Sequence, residues 1–280
     1  MTRHGGRSGA RELAAMALLA TALVASSCHP SNRVEMQVRV VSAKPLGRGD
    51  LLLAAKAMDE RLDAMGRGSA TANVTDAGID VTVPDVGADS AEGQRLAAEL
   101  VRPGRVLFRP LLDPPVRATE ATLSPTDAAN VAADREVVAD AAPTADGAVL
   151  RFRLGPAAAT QNAVVRTEVT SSGSTAGVTV RLAADDRAQS LLDLRRACER
   201  SAPRCPATLP GANGQPIGSI ALVLDAAVLA ASPVDPSNGG AWQVASGLTG
   251  DLARSLGARL ESPPLPAEFV VRRSTTVSVP

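Results

Sequence analysis

From residue 34 the apolar positions alternate: Val34, Met36, Val38 and Val40 stand between polar neighbours at the period of a half-buried strand. The period then lengthens. Leu51, Ala55, Met58, Leu62 and Met65 fall on one face of a helix that Asp50 can cap and Gly66 can stop. Two short strand-like runs, 70–75 and 79–83, flank Asp76-Ala77-Gly78, a hairpin signal. Ser90 opens a second helix through Leu96, Leu100 and Val101, Pro103-Gly104 ends it, and 105–111 reads as a strand. The order β-α-β-β-α-β is that of a split βαβ, or ferredoxin-like, layer with its helices on one face of an antiparallel sheet.

Residues 113–143 are Pro, Ala, Thr and Asp with weak periodicity, which predicts an extended connection or a partly ordered loop. Alternation resumes at Leu150, Phe152 and Leu154 and again at Val178, Val180 and Leu182, the latter leading into a helix from about 185 to 200. Pro203, Pro206, Pro210, Gly211, Gly214 and Pro216 mark a loop, and 220–232 predicts two apolar strands turning at Asp225-Ala226. Thr249 caps a last helix through Leu252, Leu256 and Leu260, and Pro263, Pro264 and Pro266 lead to a closing strand at 269–273. There is no internal repeat. The length suffices for two modest subdomains, each with its own core.

The first 27 residues read as an address and not as structure. Arg3, Arg7 and Arg11 precede an uncharged run from Leu13 to Ala25, too short for a membrane span, which needs about 20 residues. Val24-Ala25-Ser26-Ser27-Cys28 resembles a bacterial lipobox, with Ala25 where Leu is commonest, so the expectation is cleavage before Cys28 and acylation of its thiol. An ordinary secretory signal or an uncleaved anchor is the alternative. Two acyl chains would hold the protein at the membrane, since each buried methylene contributes about 0.8 kcal/mol. No later segment reaches 18 apolar residues; 220–231 is interrupted by Asp225. Removing three Arg and one Glu with the leader turns a formal charge of zero into −2, which offers no attraction to anionic lipid.

With Cys28 set aside, Cys198 and Cys205 remain, close enough to meet across a Pro-containing loop. Outside the cytoplasm such a pair reads as a disulfide; two free thiols are the alternative, and the spacing is wrong for a redox motif. The side-chain inventory excludes other classes. An aromatic fraction of 1% and zero net charge provide neither the stacking platform nor the basic footprint of a nucleic-acid binder. The two His, at positions 4 and 29, leave no material for a zinc site or a Ser-His-Asp triad. No catalytic, cofactor-binding or metal-binding residue can be named, and an enzyme is not expected.

Several short patterns have ordinary readings. Arg48-Gly49-Asp50 spells an adhesion tripeptide but fits a helix start, and Asn73-Val74-Thr75 spells a sequon that the lipobox context makes irrelevant. The Gly-rich stretch 211–218 lacks the Lys-Ser/Thr of a phosphate loop. Asp185-Asp186 fits a helix N-terminus, where the dipole favours carboxylates, and Trp242 reads as a packing residue.

Gly218-Ser-Ile-Ala-Leu-Val-Leu-Asp225, Ser232-Pro233, Gly239-Gly240 and Ser246-Gly247-Leu-Thr249, followed by a helix and Leu265-Pro266, resemble the first large extracytoplasmic domain of SecD, a subunit of the protein-export machinery. Upstream, the run Ile79 to Gly87 and Gly104-Arg-Val-Leu-Phe108-Arg109 resemble further segments of that family, and Leu154-Gly155-Pro156-Ala157 resembles the start of its mobile portion. Asp225-Ala226 stands where the family favours Asp-Gly, so this hairpin must turn differently or accept strain. The segment holding the two Cys is extra.

The resemblance implies an α+β protein: a ferredoxin-like base with an inserted α+β head that swings on its two connections. Its parts would be leader 1–27, tether 28–33, first part of the base 34–112, linker 113–144, head 145–247, and final helix and strand of the base 248–280. Asp225, Ser232, Pro233, Gly239, Gly240 and Gly247 would carry the head motif. It also implies a function: binding of exported or unfolded polypeptide, as a lipid-anchored accessory to translocation on the extracytoplasmic face of the cell membrane, with Sec translocon components as further partners. SecD proper continues into several membrane helices and this chain stops at Pro280, so it is not expected to be a proton-driven motor by itself. An envelope scaffold or regulator that reuses the fold to bind a folded partner is the alternative.

Overall fold

A computed structural model describes residues 33–125, 133–141, 148–234 and 241–279. In chain order its elements are β1 (Arg33–Ser42), α1 (Arg48–Ala64), β2 (Thr71–Thr75), β3 (Gly78–Pro84), α2 (Ala91–Val101), β4 (Val106–Pro110), β5 (Val116–Arg117), β6 (Val137–Asp140), β7 (Leu150–Leu154) and β8 (Ala159–Thr160). A 3₁₀ turn at Gln161–Ala163 follows, then β9 (Val164–Ser172), β10 (Thr175–Leu182), α3 (Asp186–Glu199), β11 (Ala207–Pro210), β12 (Pro216–Leu224), β13 (Ala227–Pro233), β14 (Ala241–Leu248), α4 (Gly250–Glu261) and β15 (Phe269–Val279).

The base is an antiparallel sheet in the order β15-β1-β3-β2, the arrangement of a ferredoxin-like layer. Alternation puts Met36, Val38 and Val40 of β1 and Ile79, Val81 and Val83 of β3 on one face, where they meet Met58 and Leu62 of α1 and Leu96 and Leu100 of α2. All are fully buried, and each contributes about 1.5–3 kcal/mol. Helix α1 begins two residues before Asp50, on Gly47 without a side-chain cap, so Arg48-Gly49-Asp50 forms its first turn and Asp50 faces the helix dipole instead of capping. It ends in a Schellman turn: Gly66 at φ 79° donates to the Asp63 carbonyl at 2.9 Å, and Arg67 donates to that of Leu62 at 2.8 Å. Ser90 caps α2 by accepting from the Gly93 amide at 2.9 Å.

The strand after α2 does not close this sheet. All five residues of β4 are buried, a pattern that needs cover on both faces, and β4 pairs with β12 instead. The fourth place in the base sheet goes to β15, paired with β1 along its whole length apart from one bulge at Arg272.

The head holds a sheet β11-β12-β4-β8 with β13 added to β12, and a second sheet β14-β10-β9. Phe108, Val178, Val180, Leu191, Leu222, Trp242 and Val244 form its core. Two assignments made from sequence order change. Ala253, Leu256 and Leu260 of α4, placed above with the base, belong to the head's core, while the opposite side of α4 lies against α1. The region 113–144 is more than a connection: β5 and β6 pair with β7, and Val137 and Ala139 pack with Phe152, Leu154 and Val223 in a third core. Strand β9 has an outward, polar pattern and no counterpart in the sequence reading.

Candidate functional site: the crossing between base and head

The chain passes from base to head at residues 102–106, and side chains from both units satisfy its backbone there. Gly104 adopts φ 70°, a conformation that favours glycine. The Arg61 guanidinium, from α1 and 2% exposed, donates to the Arg102 carbonyl at 2.6 Å and to the Pro103 carbonyl at 2.9 Å. A Cβ at Gly104 would lie 2.3 Å from Arg61 Nη2, so a larger residue there would have to displace the guanidinium from its place on the two carbonyls. Gln161, from the head, accepts from the Val106 amide and donates to the Gly104 carbonyl, both at 3.0 Å. Leu265, on the return path to the base, donates its amide to the Pro103 carbonyl at 2.9 Å.

The remaining groups are met by the turn between β12 and β13. Asp225 Oδ1 accepts from the Arg105 amide at 2.9 Å, and the Asp225 amide donates to the Arg105 carbonyl at 2.8 Å. Leu224 pairs with Ala227, which leaves Asp225 and Ala226 as the two turn residues. Asp225 takes φ 56° and Ala226 does not share the left-handed region, so the turn is not the type with both central residues there. Aspartate, with its short polar side chain, enters this conformation more readily than most residues, and here the carboxylate is held by the Arg105 amide.

Two further charged groups complete the joint. Arg259 of α4 is ion-paired with Glu99 of α2, which also accepts from Ser255 Oγ at 3.2 Å. Burial pulls the Arg61 guanidinium down to about 10, against the attraction of Asp225. Burial does the same to Arg259, also to about 10, with repulsion from Arg61 adding to it. Burial raises the Asp225 carboxyl, opposed by the Arg105 amide and by Arg61. The arrangement is a desolvated polar joint held by about one partner per backbone group. It presents no nucleophile and base in contact, and the described residues contain no group of three His, Cys, Asp or Glu that could hold a metal.

The other residues singled out from sequence are dispersed. Ser232 Oγ donates to the Val244 carbonyl at 3.2 Å, tying β13 to β14, and Pro233 sits opposite Ser219 at the end of the same strand. Gly247, at φ 71°, lies in the irregular stretch of β14 just before α4. Of the head-motif residues among those described, only Asp225 reaches the crossing. Cys28, Gly239 and Gly240 lie outside the described residues. Cys198 and Cys205 form a disulfide, both fully buried, and a Cβ at Gly218 would come within 2.5 Å of Cys198 Cα and O and 2.8 Å of the Cys205 carbonyl. Trp242 packs in the head with Phe108 at 5.7 Å and Arg195 at 5.9 Å from its ring. Arg61, Glu99, Gln161 and Arg259 carried no signal in the sequence beyond being polar residues on helix or turn positions otherwise apolar.

No family model matches the sequence, and no curated protein matches it. Among solved structures, the chain is similar to SecDF in its super-membrane-facing form, with a TM-score of 0.55 and 15% identity, over 86% of this chain. The match covers 30% of that chain. A structure described as SecDF, a membrane component that enhances protein export, aligns with a TM-score of 0.49 and 14% identity, over 86% of this chain and 98% of that one. The first likeness and the sequence resemblance agree on a SecD-like α+β fold.

Proposed function

We propose that this chain is an extracytoplasmic accessory of protein export, anchored by lipid on Cys28, that binds exported or unfolded polypeptide. The observation that carries the reading is the SecD-like fold, base and head together, at a TM-score of 0.55 to SecDF. Cys28 stands five residues before β1, so a lipid there keeps the base at the membrane, and the head stands on the base through the crossing at Gly104. Among the described residues no helix is long and apolar enough to cross a membrane, which leaves the tether as the attachment this reading requires.

The test is export in living cells. Deleting the chain should slow processing of pulse-labelled secretory precursors, and Cys28→Ser should reproduce the defect while abolishing palmitate labelling. Unchanged precursor processing in the deletion would reject the export role and favour an envelope scaffold that binds a folded partner.

A further inference from the structure

The edge strands of this protein are treated differently from one another. On β2 the outward amide of Ala72 donates to Asp59 Oδ1 of α1 at 2.7 Å. On β9 the outward amide of Thr167 donates to the Glu261 carboxylate of α4. On β14 the Val244 carbonyl accepts from Ser232. Each of these strands therefore has an edge group taken by a neighbouring side chain, a device that blunts an edge against pairing.

Strand β15 has no such cover. It runs from Phe269 to Val279, pairs on one side with β1, and among the described residues no side chain or loop bonds the backbone of its other edge. Val270 and Val271 are 41% and 36% exposed, and residues 272–274 are exposed as well. The bulge leaves Arg272 without a cross-strand partner, and Arg273 stands directly opposite Arg39. Arg39 is answered by Asp80 through two bonds of 2.6 and 2.7 Å; Arg272 and Arg273 have no ion-pair partner among the described residues. Beside them lies a polar concavity of about 550 Å³ lined by Gln37, Thr82 and Thr275.

We propose that the open edge of β15 takes an extended, acid-bearing segment of the client polypeptide as an added strand. Backbone pairing gives such a site affinity for any extended chain, which is what a binder of unfolded sequence needs. The two unanswered guanidinium groups give it preference for a carboxylate opposite them. A second copy is the poorer occupant: β15 contains no Asp or Glu, so in no register could one copy answer the other's arginines. The inference rests on the polypeptide-binding reading above and assigns it a surface.

The full chain in mild detergent is to be followed by hydrogen exchange with a probe peptide of about twelve residues, enough to span β15. The probe alternates Thr and Val around two central Glu; a matched probe carries Lys there. The expected result is slowed exchange confined to amides of residues 269–279, with the Glu probe binding about tenfold tighter than the Lys probe. Arg272→Glu/Arg273→Glu, both exposed and free to change, should reverse that order. Protection in the head with β15 unchanged would overturn the edge assignment while leaving polypeptide binding standing. So would an unfolded secretory protein that binds without slowing exchange in β15, or sedimentation showing that a second copy already occupies the edge. If neither the probes nor an unfolded protein binds, both readings fall.

Discussion

Asp225 and Arg105 are joined by a reciprocal pair of bonds, the Arg105 amide to the Asp225 carboxylate at 2.9 Å and the Asp225 amide to the Arg105 carbonyl at 2.8 Å. The turn of the β12–β13 hairpin is thereby fastened to the residue through which the chain enters the head. The swinging head that the family resemblance implies would have to break this contact or carry it along, since Gln161 and Asp225 belong to the head and Arg61 to the base.

Substitution at Asp225 separates its two roles. Asp225→Asn keeps an acceptor and tolerates φ 56°, so unfolding in urea should change little. Asp225→Ala loses the bond to Arg105 and is strained at that φ, and is expected to cost about 1–2 kcal/mol. Asp225→Gly relieves the strain alone and should fall between them.

The same residue makes a signed prediction for pH. Burial raises the folded-state carboxyl above its ordinary value, so between that value and the folded one the native state binds more protons than the unfolded state. Stability from this group then rises as pH falls through the folded pKa and is complete below the unfolded one. Relative to Asp225→Asn, the wild-type urea midpoint should gain as pH is lowered from neutral toward 4. A wild type that loses ground to the variant over that window contradicts the assignment.

Gly104 and Arg61 are expected to be coupled. Gly104→Ala is strained by about 1–2 kcal/mol at φ 70°, and its methyl group displaces a guanidinium held by two carbonyls. Arg61→Met leaves the Arg102 carbonyl without its donor, at about 1–3 kcal/mol, while Pro103 keeps the Leu265 amide. A double-mutant cycle should show that the pair costs less than the sum, because Met vacates the space the methyl needs. Strict additivity would mean that the contact carries no weight.

Gly218 answers to the disulfide. Its hydrogen faces backbone atoms of Cys198 and Cys205, which cannot rotate away as a side chain can. Gly218→Ala is expected to cost about 1–3 kcal/mol by overpacking. Cys198→Ser/Cys205→Ser should cost about 2.5 kcal/mol, the loop-closure contribution of so short a ring. Thermal unfolding with and without reductant reads both.

Much of this architecture was legible because it rests on local periodicity. Met36, Val38 and Val40 announce β1, Ser90 and Gly66 mark helix ends, and Asp225-Ala226 sits in its hairpin where the turn signal put it. What sequence order misplaced depends on contacts between distant segments. Strand β4 looks like the fourth strand of the base until its burial on both faces is known, and α4 presents an apolar stripe that either unit could cover. The joint itself was hidden for a chemical reason. Arg61 and Arg259 lie in a sequence whose basic side chains are nearly all Arg, and nothing local separates a buried guanidinium bound by carbonyls from a solvated one.

The most direct test of the central claim is binding of a reduced, unfolded secretory protein to residues 29–280, with the folded form of the same protein as control. The account expects micromolar binding to the unfolded form and binding at least about tenfold weaker to the folded one. No binding at high concentration, or equal affinity for both forms, would contradict it.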